Sequence, residues 1–495
     1  KTGGGVLFLT LACLTGFVLY SVLSHEDGQI AYVSEISRHG ARAPGRLYDF
    51  VLNPEDQFKH VNQLTPAGRR QHFLIGHEIR NRYIDSQEVI GETYDFREIE
   101  FFSTDTDRTI DSGVSQLAGM YPPSLHMQVL NDFQRQNAVP PLTVQDAARI
   151  DNELGEIAIP FNLFPIFSER GDVHFKIHFN NANCPAYQRR SQELAESQEF
   201  MDLIAPHVEY LGPRLRELTG VTDELSWTDM NAMCSYIDIA TFHKIPLTFT
   251  PTSEDLDQCR ALSKQRMFFV SWGDDFLWQI GSKVFYDDLL SAMNNTIQGE
   301  KQAKMQLHFS HNFMLSILLN GLGKQHTKEP PLSATLFFEL HKRGNNYSVR
   351  TIYNDKVLRF GNCQDALCPF NTFRDYLQSI HPSGDIQELC NAETIDKIGA
   401  TVFMAESSMF GGIGLDTITH TFKNPNILSI GKFGSIILSF IFIAYIIFKL
   451  KPKDISISSK GDDFEAALID RQLEKDNYFY QGTYSPSIDN VQPTI

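Results

Sequence analysis

The sequence predicts an α/β protein: a three-layer domain with a central mixed sheet, a helical cap inserted in its middle, and one or two transmembrane helices. Three observations carry this. Strand-like segments come early and late, as "IAYVSEI", "REIEFF", "MQLHF" and "ATLFFELHKRGNNYSVRTIYND". Between them, from about Pro122 to Lys304, apolar residues recur mostly at helical spacing, which reads as an insertion of about 122–304. Long apolar runs with little charge stand near both ends of the chain.

The first apolar run, Gly5 to Leu23, carries no charge and has the length of a bilayer span. It reads either as a signal peptide over 1–24, with Val22 and Ser24 as small residues before a cut, or as a retained anchor. The domain proper is expected over 27–410. A second span is expected over 427–448, where Lys432 can snorkel to the interface. "KLKPK" follows it, so the positive-inside rule puts the tail, 449–495, in the cytosol. That tail is polar and is expected to be disordered. The protein would be single-pass type I or two-pass, with the domain between the spans luminal or extracellular.

Within the domain, "IAYVSEI" reads as a buried strand running into "SRHGARAPG". In "LTPAGRRQH" Thr65 can cap a helix and Pro66 can sit in its first turn. "REIEFF" reads as a second strand ending at "STDTDRT". "MQLHF" is followed by "SHN" and an apolar helix that "GLG" stops. The late hairpin turns at "GNN", and Glu339 within it is expected to face solvent.

The chain has 495 residues, 42% hydrophobic and 21% charged, enough for a sizeable core. Its 43 basic and 60 acidic residues give a net charge of −17, which argues against nucleic acid as a partner. One small phosphate needs only a local basic cluster. Of seven cysteines, Cys13 lies in the first apolar run and the others fall between the two runs. An even number in a non-cytosolic region suggests disulfides, and no zinc-type CxxC spacing occurs. Asn294 and Asn346 begin glycosylation sequons.

Three strand ends carry unusual residues: Arg38, His39 and Arg42 on the first, Arg108 after the second, His311 after "MQLHF". Ligands of open α/β sheets bind outside the carboxyl ends of the strands. Arginines gathered there would grip phosphate oxygens with their planar forks. They would also keep a neighbouring imidazole neutral, with a lone pair free to attack phosphorus.

"RHGARAP" resembles the RHGxRxP signature of the histidine acid phosphatases. The resemblance continues through "LTPAGRRQH", "FFSTDTDRTIDSGVSQLAGMYPP", "CPAY" and "PPLSATLFFEL", roughly Ile30 to Ala400. It is strongest toward the membrane-anchored lysosomal and prostatic type. The resemblance implies that His39 forms a phosphohistidine, that Arg38, Arg42, Arg108 and His311 hold the phosphoryl group, and that no metal or other cofactor is needed. It also implies a Cys184–Cys390 bridge. Cys363 and Cys368 are close enough for a local one, which leaves Cys234 with Cys259.

The sequence departs from the family at one catalytic position. The family's second signature is His-Asp, whose Asp protonates the leaving oxygen, and here the pair is His311-Asn312. An amide cannot donate that proton, and loss of a general acid costs about 10²–10⁴ in rate. Asp105 and Asp107 are candidate substitutes. The expected function is therefore a membrane-anchored acid phosphatase acting on small phosphate esters, in a lysosome-like compartment or at the cell surface. The alternative is a weakened or inactive homologue that binds phosphoesters or acts as a membrane scaffold. Substrate and oligomeric state, a homodimer included, stay open.

Overall fold

β1 (Gln29–Arg38) is buried along nearly its whole length, as expected for "IAYVSEI". The computed structural model to which it belongs describes residues 28–391, apart from 123–128, 139, 143, 159–163, 170–175, 180–183 and 324–326. The two apolar runs, Cys13 and the polar tail lie outside the described residues. Among those described, no helix is long and apolar enough to cross a membrane.

After β1 come α1 (Pro66–Ile79), β2 (Ile99–Thr104) and α2 (Asp107–Met120). The middle of the chain supplies short α3 (Asp132–Asn137) and α4 (Ala147–Leu154), then β3 (Phe167–Glu169) and α5 (Pro185–Glu196). It continues with α6 (Gln198–Thr219), α7 (Trp227–Phe242), α8 (Ser253–Met267) and α9 (Asp275–Gln298). β4 (Met305–Ser310) and α10 (Asn312–Asn320) return to the base, followed by the hairpin β5 (Thr335–Arg343) and β6 (Asn346–Tyr353). Short β7 (Lys356–Val357) and β8 (Cys368–Pro369) and helices α11 (Phe370–Ile380) and α12 (Ile386–Asn391) close the described chain.

The strands form one mixed sheet in the order β3-β2-β4-β1-β5-β6-β7, with β8 also on β6. β1, β2 and β4 run parallel, and β5 is antiparallel to β1. Arg38 pairs with Ser310 and Ser103 with Phe309, so the carboxyl ends of β1, β4 and β2 finish side by side.

Side-chain alternation puts helices on both faces. Tyr32, Ile36, Leu336 and Phe338 pack with Phe285, Leu315 and Phe373 from α9, α10 and α11. Val33, Leu307, Phe309 and Phe337 pack with Ile79 and Leu117 from α1 and α2. α1 and α2 touch closely because Gly76 has no Cβ, which would stand 1.8 Å from the Gln116 carbonyl. The cap has its own core, with Phe200, Ile204, Met230, Ile237 and Leu262 packed on Phe50 and Val51 from the loop after β1.

Thr65 caps α1 by accepting from the Gly68 N–H, with Pro66 in the first turn. The strands formed by "REIEFF" and "MQLHF" lead almost directly into helices. The six described cysteines are bonded as Cys184–Cys390, Cys234–Cys259 and Cys363–Cys368, the pairs named from the sequence. Asn346 is exposed beside the hairpin turn, whereas Asn294 is half-buried within α9, a placement poorly suited to a glycan.

Two features differ from the sequence expectation. The middle insertion is not purely helical, because β3 adds to the sheet beside β2. Glu339 does not face solvent: it is 2% exposed. Tyr83 donates to its Oε1 across 2.7 Å, and His341 Nε2 lies 2.9 Å from its Oε2. Tyr83 comes from a π-helical extension of α1, Arg80–Ser86, which covers that face of the hairpin. Burial would push the Glu339 carboxyl up, but His341 and Tyr83 hold it below its ordinary range.

Candidate active site

His39 leaves the end of β1 held from both sides. Its N–H donates to the Ser310 carbonyl across 2.9 Å, and its own carbonyl accepts from Ser333. A Cβ on Gly40 would meet Gly68 Cα at 2.7 Å, so the chain can pass the start of α1 only as glycine. Ala41 N–H donates to Gln71 Oε1 across 2.8 Å, and the Thr65 hydroxyl donates to the Ala41 carbonyl across 2.9 Å. The loop bearing Arg42 is thereby fixed to the first turns of α1.

The tautomer of His39 follows from its partner. Nδ1 lies 2.8 Å from the Gly40 carbonyl, which can only accept, so Nδ1 carries the proton and Nε2 the lone pair. Burial, then Arg38, then Arg108 and Arg42 keep the imidazole well below its ordinary pKa. It therefore stays neutral in mildly acid solution.

His311 has the opposite tautomer. Arg108 Nη2 lies 3.3 Å from His311 Nδ1, and a guanidinium only donates. The ring proton is then at Nε2, donated to Thr104 Oγ1 across 3.0 Å. Burial and the charge of Arg108 push this imidazole down too. Its centroid is 5.6 Å from that of His39 and 5.1 Å from that of His178.

The arginines crowd one another. Arg42 is pushed down to about 10 by burial and by Arg108 and Arg38. Arg108 is lowered by burial and Arg38. Its Nε is buried with no hydrogen-bond partner among the described residues. α2 and α10 both begin here, with Thr106 and His311 as their N-caps, and their dipoles add positive potential. Like charges gathered with an unmatched donor favour an anion with several acceptor oxygens.

The structure thus brings Arg38, His39, Arg42, Arg108 and His311 together at the carboxyl ends of β1, β2 and β4. Asn312 is the first residue of α10, and its Nδ2 donates to Glu329 Oε1 across 2.7 Å. Glu329 also pairs with Arg38 Nη2 at 3.0 Å. Asp105 and Asp107 are exposed, and Asp107 accepts from Gln63 Nε2. Three site residues were not singled out from the sequence: Thr104, His178 and Glu329. Thr104 lies within "STDTDRT", beside Arg108. His178 lies in a segment without any motif, and Glu329 stands just before "PPLSATLFFEL". No group of three or more His, Cys, Asp or Glu side chains is arranged to hold a metal among the described residues.

Arginines gathered at the carboxyl ends of parallel strands define an anion-binding class of α/β protein. The sequence pattern of the histidine phosphatase superfamily (branch 2) matches residues 29–354. The chain belongs to that superfamily. Lysosomal acid phosphatase of Xenopus laevis is 25% identical over 488 residues, covering 94% of this chain and 97% of that protein. Prostatic acid phosphatase of Rattus norvegicus is 22% identical over 391 residues, covering 75% and 93%. Among solved structures, the phytase from Citrobacter braakii matches with a TM-score of 0.49 at 12% identity, over 74% of this chain and 100% of that one.

Proposed function

We propose that this chain hydrolyses phosphate monoesters through a phosphohistidine on His39. The observation that carries the reading is a buried, neutral His39 with its lone pair on Nε2, set among Arg38, Arg42 and Arg108. In this mechanism the guanidinium groups hold the phosphoryl oxygens and draw charge from phosphorus. Nε2 attacks phosphorus, the alcohol leaves, and water then releases phosphate from the ring. His311, oriented by Thr104 and Arg108, completes the cradle. A neutral nucleophile in acid solution suits an acid phosphatase, the activity in the names of its relatives.

The domain is proposed to be anchored through 427–448 and to face a lumen or the cell exterior. Three disulfides and the lysosomal and prostatic relatives support that side. Asn312 favours a second reading, a weakened homologue that binds phosphoesters without efficient turnover.

The deciding experiment is acid quenching during turnover of an aryl phosphate, followed by a search for acid-labile phosphate on His39. His39→Ala should lose both the adduct and phosphate release. A variant active within a few-fold of wild type overturns the assignment. Protease added to sealed vesicles should spare an epitope at Ile495, and cleavage there before permeabilisation overturns the orientation.

A further inference from the structure

We propose that Glu329 supplies the proton that the leaving oxygen needs, and that Asn312 is its positioning residue. The inference rests on the phosphatase reading above. Glu329 Oε1 accepts from Asn312 Nδ2 at 2.7 Å and pairs with Arg38 Nη2 at 3.0 Å. Arg38 adjoins His39 and Asn312 adjoins His311, so the carboxyl group is held between the residues flanking both site histidines. Its side chain is 37% exposed, which places it at the open side of the cluster, where an alcohol departs. Asp107, by contrast, is turned to Gln63.

The contacts suit the role. Both donors fall on Oε1, which leaves Oε2 to carry a proton. Arg38 pairs with this carboxylate, and Arg42 lies near enough to feel its charge. A phosphoryl dianion arriving between them competes with the carboxylate for their charge. An amide at 312 cannot be an acid, but it can hold one.

The step balances. The Nε2 lone pair of His39 forms the N–P bond while the P–O ester bond breaks. The electron pair of that bond goes to the alcohol oxygen, which takes the proton from Glu329. In the second half, Glu329 carboxylate takes a proton from water as its oxygen bonds to phosphorus. The N–P pair then returns to Nε2. The net change is phosphate ester plus water to alcohol plus phosphate.

Steady-state kcat/KM on p-nitrophenyl phosphate and on glycerol 2-phosphate, which reports phosphorylation of His39 and not the shared release of phosphate, tests this, using wild type, E329Q, N312A and the E329Q/N312D double variant. An alkoxide needs the proton far more than p-nitrophenolate does. E329Q should lower kcat/KM on glycerol 2-phosphate by about 10²–10³-fold and on p-nitrophenyl phosphate by less than about 10-fold. The retained aryl turnover reports a folded enzyme. N312A, which removes the donor that holds Glu329, should lower alkyl kcat/KM by about 10-fold or more with a smaller loss on the aryl ester, whereas N312D in the E329Q background should restore alkyl turnover by at least about 10-fold. Equal losses on both substrates would make Glu329 a mere support for Arg38. A fall in KM with kcat unchanged would make it an internal anion competing with substrate. Either result, or no effect, overturns the proposal while the phosphatase reading stands. If wild type releases no phosphate from p-nitrophenyl phosphate and His39 is never phosphorylated, both readings fall.

Discussion

Arg108 Nη2 and His311 Nδ1 meet at 3.3 Å although 203 residues separate them. The contact joins the first turn of α2 to the N-cap of α10, and it fixes the ring tautomer that Thr104 reads from the other side. Both residues follow neighbouring parallel strands, so the sheet register, not the loops, sets their separation.

Arg108 should contribute to anion binding more than to folding. Arg108→Ala removes a charge-assisted donor and leaves His311 Nδ1 without its partner. Inhibition by inorganic phosphate should weaken by about 10–100-fold, corresponding to the loss of a charged hydrogen bond. Arg108→Lys, which keeps the charge but loses the planar fork, should fall between. Inhibition curves at fixed ionic strength read this, and an unchanged inhibition constant in Arg108→Ala would remove Arg108 from the site.

Glu35 gives a pH signature. It is fully buried, and burial pushes its carboxyl up to about 8, against an ordinary 4.5. Its stabilising contribution is complete below 4.5 and is lost as pH rises through about 8. His72, linked to Glu35 through Gln116, is pushed down by burial to about 4. Its contribution is present above 6.5 and is lost as pH falls toward 4. Between 6.5 and 8, therefore, Glu35 is the member of this pair that slopes. Wild type should lose roughly 2 kcal/mol over that interval, and Glu35→Gln should flatten the loss. Urea melts at the two pH values measure it, and equal slopes would show that Glu35 is not buried neutral.

Glu339 tests the correction made by the fold. A solvent-facing strand glutamate would tolerate alanine within about 0.5 kcal/mol. Glu339 instead receives Tyr83 and His341 in a buried cluster, so Glu339→Ala should cost about 3–5 kcal/mol by leaving those partners unmatched. Tyr83→Phe should cost less, about 1–3 kcal/mol, and both effects should shrink when the two changes are combined. Additive losses in this double-mutant cycle would contradict the contact.

The disulfides should rank by the loop each closes. Cys184–Cys390 spans 206 residues and Cys234–Cys259 spans 25. Loop entropy puts their contributions at roughly 5 and 3 kcal/mol. Replacing both cysteines of a pair with alanine and comparing melting temperatures checks the order. The bridge within the cap should also be separable, since Cys234 and Cys259 belong to the cap's own core.

The sequence by itself determined the local pieces. "RHGARAP" at a strand end, Thr65-Pro66 at a helix start and "GNN" in a hairpin are each set by neighbours a few residues away. Such segments carry their structure in local chemistry, and so His39 and the arginines around it are legible. Tertiary structure alone decided which distant groups share a surface. Glu329 gained a role only because "TKEPP" lies against Arg38 and Asn312, and His178 only because part of the insertion comes to rest on His311. Glu339 was misjudged for the same reason. Strand alternation gives the face a residue points to, but Tyr83, 256 residues away, decides whether that face is covered. β3, three residues long, is too short to show a period and exists by pairing with β2. Local geometry is set by a residue's own backbone preferences. Burial and charge pairing depend on what the rest of the chain brings to it, and only the folded sheet fixes that.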